Sequence, residues 1–119
     1  MRCIIQTIGP MVNRAKAKGT RFETQVVDYL RGHGVPFAER RTLRGTKDAG
    51  DVSGARGWVL EVKNHQAMDL GTWCNEAAQE ATNDGVRKWA VIHSRRRHGV
   101  ADSFVTLPLS LFVEVLAHG

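Results

Sequence analysis

The segment Trp58–Lys63 constrains the fold of this chain more than any other segment. It places aromatic and β-branched residues around two charges, follows a glycine and precedes a polar pair, which is the pattern of a β-strand. Because side chains alternate along a strand, Glu61 and Lys63 share one face while the apolar residues beside them share the other. A charged pair of this kind usually marks a solvated strand edge, so its meaning depends on the residues around it.

A third charged residue, Asp51, precedes this strand by a short glycine-bearing turn at residues 53–57. Such a turn would fold Asp51 back beside Glu61, so that two carboxylates and the ammonium group of Lys63 converge. Isolated carboxylates repel each other at close range, and the arrangement therefore calls for a cation. Carboxylate oxygens are hard ligands that suit Mg²⁺, with Mn²⁺ as a substitute, and we predict a metal site here.

The chain has 119 residues, which fits one compact domain. Hydrophobic periodicity and turn residues predict helices at 20–33, 70–83 and 108–117, and strands at 36–43, at Asp51, and at 58–63, 88–94 and 103–107. The order αβββαββα indicates an α/β fold, with a small mixed sheet flanked by helices. Residues 14–119 are predicted to form this single domain, after an N-terminal extension of residues 1–13.

The first helix carries a carboxylate on its apolar side. Phe22, Val26 and Val27 form one arc at helical spacing, and Glu23 falls inside it. A carboxylate that faces a sheet is costly unless a partner compensates it, so Glu23 is a candidate for the same site. The alternative is a capping box, with Thr20 as the N-cap and Glu23 at N3. From the pattern alone both interpretations stay open, and the two roles are compatible.

The second helix has small residues on one arc, which lets it lie close to a sheet. We expect its two glutamates, Glu76 and Glu80, to be solvated. His65 and Gln66 follow the central strand directly. They are within reach of the site or its substrate, although residues in such positions are more often simple polar groups at a strand end.

Positive charge is in excess and clustered. Seventeen lysines and arginines against twelve acidic residues give a net charge of +5. Clustered basic residues are typical of a nucleic-acid partner, whereas the alternative is a basic surface without one. The candidate DNA-binding residues lie in predicted loops or element ends; they are Lys16, Lys18, Arg21, Arg40, Arg41, Arg44, Lys47, Arg95, Arg96 and Arg97.

Several function classes are disfavoured. No apolar run is long enough to span a membrane, and the N-terminal segment is too short for a secretory signal. Two cysteines, Cys3 and Cys74, are too few for a disulfide scaffold, which favours a cytoplasmic protein of a bacterial, archaeal or phage-infected cell. The chain also has no Gly-x-x-x-x-Gly-Lys phosphate loop and no Gly-x-Ser-x-Gly elbow.

Three motifs together resemble the PD-(D/E)XK nuclease superfamily: Lys18-Gly19-Thr20-Arg21-Phe22-Glu23, Gly50-Asp51 and Glu61-Val62-Lys63. The helical glutamate, the Lys-Gly before it and the basic glycine loop are most similar to the archaeal and phage-type Holliday junction resolvases. The similarity covers about residues 14–94. Gly50 stands where the superfamily's name has a proline, which is not a ligand, so the departure affects turn geometry.

The resemblance implies a restriction-endonuclease-like fold and a metal-dependent endonuclease that hydrolyses phosphodiester bonds in branched DNA during recombination or repair. It implies that Asp51, Glu61 and the Val62 backbone carbonyl bind Mg²⁺. Lys63 would orient and activate the attacking water, and Glu23 would complete the metal site directly or through water. The alternatives are another endonuclease of this superfamily, for restriction, repair or nicking, and a non-catalytic DNA-binding module.

A four-way junction has near two-fold symmetry, and its resolution needs two paired cuts. A homodimer supplies two sites in matching geometry, so we expect a homodimer. The apolar segment at residues 107–116 is a candidate for its interface. The alternative is that this segment only covers the core of the monomer.

Overall fold

The computed structural model describes residues 10–41 and 51–118, with side chains from residue 20 onward. Within these ranges one five-stranded sheet is accompanied by three α-helices, so the predicted mixed α/β class and the element order are confirmed. The elements are α1 (Pro10–Gly32), β1 (Glu39–Arg40), β2 (Val52–Ser53), β3 (Trp58–Lys63), α2 (Leu70–Asn83), β4 (Lys88–His93), β5 (Phe104–Thr106) and α3 (Leu109–His118).

The strands lie in sequence order, β1-β2-β3-β4-β5, and β3 is in the centre. Strands β3 and β4 are parallel and are connected through α2, while the other neighbouring pairs are antiparallel. The β2–β3 turn depends on Gly54, whose φ of 90° is in the left-handed region. A Cβ on Gly54 would collide with the Phe37 carbonyl oxygen, so only glycine fits where this turn passes the segment before β1.

The two faces of the sheet are covered by different helices. Phe22, Val26 and Val27 of α1 pack in one core cluster with Leu60 and Val62 of β3. On the opposite face, Trp73 and Ala77 of α2 form a smaller cluster with Val91 of β4. The alternation predicted for β3 is therefore realised, and Glu61 and Lys63 face the side of α2.

Helix α1 begins at Pro10, ten residues before the predicted start. Proline is favoured at the first helical position because its fixed φ suits the helix and its missing N–H needs no partner there. Residues 10–13, assigned above to the extension, are thus the first residues of α1. Thr20 lies inside the helix, and its carbonyl oxygen accepts a hydrogen bond from Thr24 Oγ1 at 3.0 Å. The capping box at Thr20 and Glu23 is therefore wrong.

The other boundaries differ less. Helix α2 and strand β3 have the predicted limits, and Gly85, with a φ of 72°, follows the C-terminus of α2. Strand β1 has two residues, 39–40, within the predicted 36–43, of which 42 and 43 lie outside the described residues. Across residues 10–41 and 51–118, no helix combines the length and apolar character needed to cross a membrane.

Candidate active site

Asp51 is held against the central strand by backbone contacts. Its N–H donates to the Leu60 carbonyl oxygen at 3.0 Å, and its Oδ2 accepts from the Val62 N–H at 2.8 Å. Because Val52 pairs with Leu60 in the antiparallel register, the preceding residue lies opposite Glu61. The turn predicted from the sequence thus brings the Asp51 and Glu61 carboxyl groups together.

Glu61 is nearly enclosed, with 5% of its surface exposed. Its Oε1 lies 3.5 Å from the Lys63 Nζ, as expected for residues i and i+2 on one face of a strand. No hydrogen-bond donor of the described residues reaches its buried Oε2. A buried acceptor without a donor is destabilising, so this atom marks a place where a cation or a proton is favoured.

The Lys63 ammonium group has a second, closer carboxylate. Its Nζ lies 2.7 Å from Glu76 Oε1 of α2, and the lysine side chain is largely buried. Burial by itself lowers the pKa of Lys63, but the hydrogen bond to Glu76 and the negative charge of Glu61 outweigh it, and the net pKa is raised. Lys63 is therefore a fixed, protonated amine between β3 and α2.

The carboxyl groups of Asp51 and Glu61 both hold protons unusually tightly. The pKa of Asp51 is raised to about 8, chiefly by burial and then by the charge of Glu61, while the hydrogen bond from the Val62 N–H opposes the rise. The pKa of Glu61 is also raised to about 8, chiefly by burial and then by Glu80, while Asp51 and Lys63 oppose the rise. The single ammonium group does not offset the carboxylates gathered around it.

Glu80 is where our expectation of a solvated residue is wrong. It is 6% exposed and lies against Glu61, whose pKa it raises. The cause is the small residues Ala77 and Ala81, both buried, which let α2 approach the sheet closely and carry Glu80 inward. Glu76 and Glu80 are four residues apart and therefore lie on the same side of α2. That spacing is the sequence signal that could have identified them as neighbours of the site.

The side chains present fit a divalent cation in their chemistry. Asp51 and Glu61 supply adjacent carboxylates, and a cation would offset both the burial and the repulsion that raise their pKa values. Across the described residues, no group of three or more His, Cys, Asp or Glu side chains is arranged to hold a metal. A cation here would accordingly take its other ligands from water or substrate, as Mg²⁺ often does.

Glu23 lies at the margin of the site rather than at its centre. Its Oε1 accepts a hydrogen bond from Arg40 Nε at 3.2 Å, and about a quarter of the Glu23 side chain is exposed. Its charge still adds to the rise in the pKa of Asp51, which places it within electrostatic reach. Glu23 is therefore near the carboxyl pair, with its charge balanced by an arginine.

The basic residues predicted to bind DNA fall into separate groups. Arg40 pairs with Glu23, and both terminal nitrogens of the Arg41 guanidinium lie 3.2–3.4 Å from the Asp84 carboxylate oxygens. Arg21 and the arginines at 95–97 line one concave surface. The side chains of Lys16 and Lys18, and residues Arg44 and Lys47, lie outside the described residues.

This concave surface, which we call the arginine cleft, lies between α1 and the segments that follow β3 and β4. Its volume is about 660 Å³, and its lining includes Arg21, the turn 95–97, His65, Gln66 and Phe104. Asn64, the next residue after Lys63, also lines it. His65 and Gln66 also face the cleft, whereas Glu61 and Lys63 line a separate concave surface together with Glu76 and Glu80 of α2.

No protein-family model, curated protein or solved structure matches this chain.

Proposed function

We propose that this chain is a metal-dependent DNA endonuclease with a restriction-endonuclease-like fold, selective for branched DNA such as the four-way (Holliday) junction. One observation carries the proposal: the carboxyl groups of partly buried Asp51 and buried Glu61 converge beside the amine of Lys63, and the buried Glu61 Oε2 has no hydrogen-bond donor among the described residues. A cation that joins two carboxylates next to a fixed amine is the equipment for phosphodiester hydrolysis.

Each residue has a distinct part in this reaction. Asp51 and Glu61 would hold Mg²⁺, and the metal, when bound, would lower the pKa of a water and stabilise charge on the phosphate. Lys63, kept protonated by Glu76 and Glu61, would donate a hydrogen bond to the attacking water or to the scissile phosphate and so orient it. The Val62 backbone carbonyl and Glu23 remain proposed as further contacts of the metal, Glu23 directly or through water.

The arginine cleft supports DNA as the substrate. Four arginines face it, and no aspartate or glutamate is among the described residues that line it. A DNA strand in the cleft would exchange counterions for these side chains, which favours binding without reading the base sequence. The consecutive residues Lys63 and Asn64 connect the surface that holds the carboxyl groups with the cleft, and the two surfaces would have complementary roles.

A homodimer is the assembly that we propose, because resolution of a junction requires two cuts related by a two-fold axis. Helix α3 exposes a row of apolar side chains, with Leu109 75% and Leu116 65% exposed, while only Leu111 of its ten residues, all of them described, is buried. Arg87 donates two hydrogen bonds of 2.7 and 2.9 Å to Glu114 and so links this helix to the residue before β4. An apolar face of this extent on a fixed helix is typical of an interface.

The decisive experiment compares a labelled four-way junction with a linear duplex of the same sequence, each with and without Mg²⁺. We expect Mg²⁺-dependent cutting of the junction and little cutting of the duplex. Equal cutting of both would favour a restriction, repair or nicking enzyme on the same fold. Junction binding without any cutting in Mg²⁺ or Mn²⁺ would favour a non-catalytic DNA-binding module and would contradict the proposed activity.

The dimer has its own test. Light scattering should give twice the monomer mass, and Leu116→Glu should shift the protein to the monomer, because it places a charge on the exposed face of α3. Mixing the wild type with Asp51→Asn should yield heterodimers that nick one strand of the junction and rarely resolve it. A wild-type protein that is monomeric at working concentration and makes single nicks would instead be a nicking endonuclease.

A further inference from the structure

We propose that the arginine cleft holds one unpaired nucleotide, with its base stacked on the Phe104 side chain and its phosphate held by the arginines of the turn 95–97. The inference rests on the proposed function in taking DNA as the ligand, and it narrows the substrate to DNA that carries an unstacked base. Junction centres, bulges and flaps offer such a base, whereas a regular duplex keeps its bases stacked inside.

The position of the cleft suits a ligand site. It lies at the carboxyl ends of the parallel strands β3 and β4, where open α/β sheets bind their ligands. The two segments that form its floor are joined, since the Ser94 N–H donates to the Lys63 carbonyl oxygen at 3.2 Å and Ser94 Oγ donates to Asn64 Oδ1 at 2.6 Å. A volume of about 660 Å³ is within the range of pockets that hold small organic ligands.

Phe104 provides the stacking surface. The guanidinium carbon of Arg95 lies 4.4 Å from the centroid of its ring, yet Phe104 remains 49% exposed. A nucleobase stacks on both aromatic rings and guanidinium planes, and the free part of this pair faces the cleft. Phe104 lies on the edge strand β5, and a flat partner stacked on its ring would bury apolar surface that is now in contact with solvent.

The platform is supported from behind. The His93 ring meets Phe104 edge to face at 6.0 Å, and Trp73 meets His93 at 5.7 Å. The Nε2 of His93 lies 2.8 Å from Thr106 Oγ1, which fixes the orientation of the imidazole. Because His93 and Trp73 are buried, Phe104 rests on packed groups rather than on solvent, and a base that stacks on it need not first order the ring.

The surroundings match a nucleotide rather than another flat cation or an apolar ligand. Around Phe104 the cleft carries the arginines for a phosphate, while Gln25 and Gln66 offer amide groups for the edge of a base. Amide side chains both donate and accept, so they tolerate any of the four bases. We therefore expect recognition of an unpaired nucleotide with little preference for its identity.

The test measures binding by fluorescence anisotropy in EDTA, with three labelled DNAs of the same flanking sequence. They are a perfect duplex, a duplex with a one-nucleotide bulge, and the same bulge with an abasic site. We expect the bulge with a base to bind about tenfold more tightly than the abasic bulge, the size expected from one stacked base. A 2-aminopurine in the bulge should lose fluorescence on binding. Equal affinity for the base-containing bulge and the abasic bulge would overturn the proposal.

The variants separate stacking from charge. Phe104→Leu should remove the advantage of the base and leave affinity for the perfect duplex unchanged, whereas Phe104→Trp should keep it. The control Phe37→Leu, at an 81% exposed residue that does not line the cleft, should have no effect. If Phe104→Leu does not fold, Arg95→Lys keeps the charge and removes the guanidinium plane, and it should reduce the same advantage. A loss that is equal on the perfect duplex and on the bulge would contradict the inference.

The binding measurements do not depend on cleavage, because EDTA removes the divalent metal that cleavage would need. Asp51→Asn should retain the preference for the base-containing bulge. If the wild type prefers that bulge and cuts nothing in Mg²⁺, the nucleotide site stands and the nuclease proposal fails. If the wild type cuts branched DNA but binds the base-containing and abasic bulges equally, only the nucleotide site is overturned.

Discussion

The two faces of strand β3 have opposite contents. Toward α1, Leu60 and Val62 are buried in an apolar cluster. Toward α2, Glu61 is equally buried, yet its neighbours are Lys63 and Glu80. The same six residues thus build a core on one side and a charged site on the other, one residue apart. The packed side chains of Leu60 and Val62 therefore fix the backbone from which Glu61 and Lys63 extend to the other face.

The largest expected effect is on chemistry at the charged face. Asp51→Asn and Glu61→Gln should each reduce junction cleavage by at least about 10²–10³-fold, since each removes a carboxylate that would hold the metal, and the metal would stabilise the charge on the phosphate. DNA binding in EDTA should stay equal or become tighter, because a group that repels phosphate is lost. Single-turnover cleavage and anisotropy measure the two effects. Near-normal cutting by either variant in Mg²⁺ would place the active site elsewhere.

The apolar face supplies the matched control for this comparison. Leu60→Ala should lower the free energy of unfolding by about 2–5 kcal/mol, the usual cost of truncating a buried leucine. Its cleavage rate, measured where the variant is still folded, should stay within a few-fold of the wild type. Glu61→Gln should show the reverse, with activity lost and stability retained. Urea unfolding of both variants tests the division, and a Leu60→Ala variant that is stable but inactive would refute it.

The pH dependence of stability should also differ between the faces, and only the charged face should contribute. The pKa values of Asp51 and Glu61 rise from ordinary values of 3.8 and 4.5 in the unfolded chain to about 8 in the folded protein. The folded state therefore binds more protons than the unfolded state between about pH 4 and pH 8. It follows that this contribution is fully present below pH 4 and is lost as the pH rises through 8.

A bound cation should reverse that trend, because it binds the deprotonated carboxylates. We expect the rise in melting temperature caused by Mg²⁺ to be larger at pH 8.5 than at pH 6. Asp51→Asn should remove most of this difference, and Asp28→Asn, which alters an exposed carboxylate of α1, should keep it. Melting curves with EDTA or Mg²⁺ at each pH measure it. A stabilisation by Mg²⁺ that does not depend on pH would contradict a metal site at this pair.

Features that depend on neighbouring residues could be predicted from the sequence, whereas features that depend on packing between elements could not. The shared face of Glu61 and Lys63 follows from the two-residue period of any strand, and the return of Asp51 follows from a short glycine turn. The small residues of α2 predicted its close approach to the sheet, but they did not indicate that Glu80 lies on the buried side of the helix. The start of α1 was missed for a related reason: the local capping pattern at Thr20 is overridden by a helix that continues to Pro10.

The aromatic platform at Phe104 was missed for the same reason. Strand β5 could be located from its residues, but the stacking of Arg95 on Phe104 brings together groups nine residues apart across a turn. Arg97 in that turn has a φ of 64°, a left-handed conformation that residues other than glycine seldom adopt. The sequence predicts a turn at residues 95–99, but no local pattern indicates the left-handed conformation of Arg97. The basic residues of the sequence predicted a DNA partner, and the three-dimensional structure shows which of them lie on one surface.

The smallest expected effect concerns that selection. Arg96→Ala, in the cleft, should reduce the slope of log affinity against log salt by about 0.9, which corresponds to one lost phosphate contact on duplex DNA. Arg41→Ala should leave the slope nearly unchanged, because its guanidinium already lies against the Asp84 carboxylate. Both variants lose one positive charge, so a change caused by net charge alone would be the same in the two. Anisotropy titrations over a range of salt concentrations distinguish the outcomes. Equal slopes for the two variants would mean that the cleft does not lie on the path of the DNA, and a larger change for Arg41→Ala would move that path to the β1 edge of the sheet.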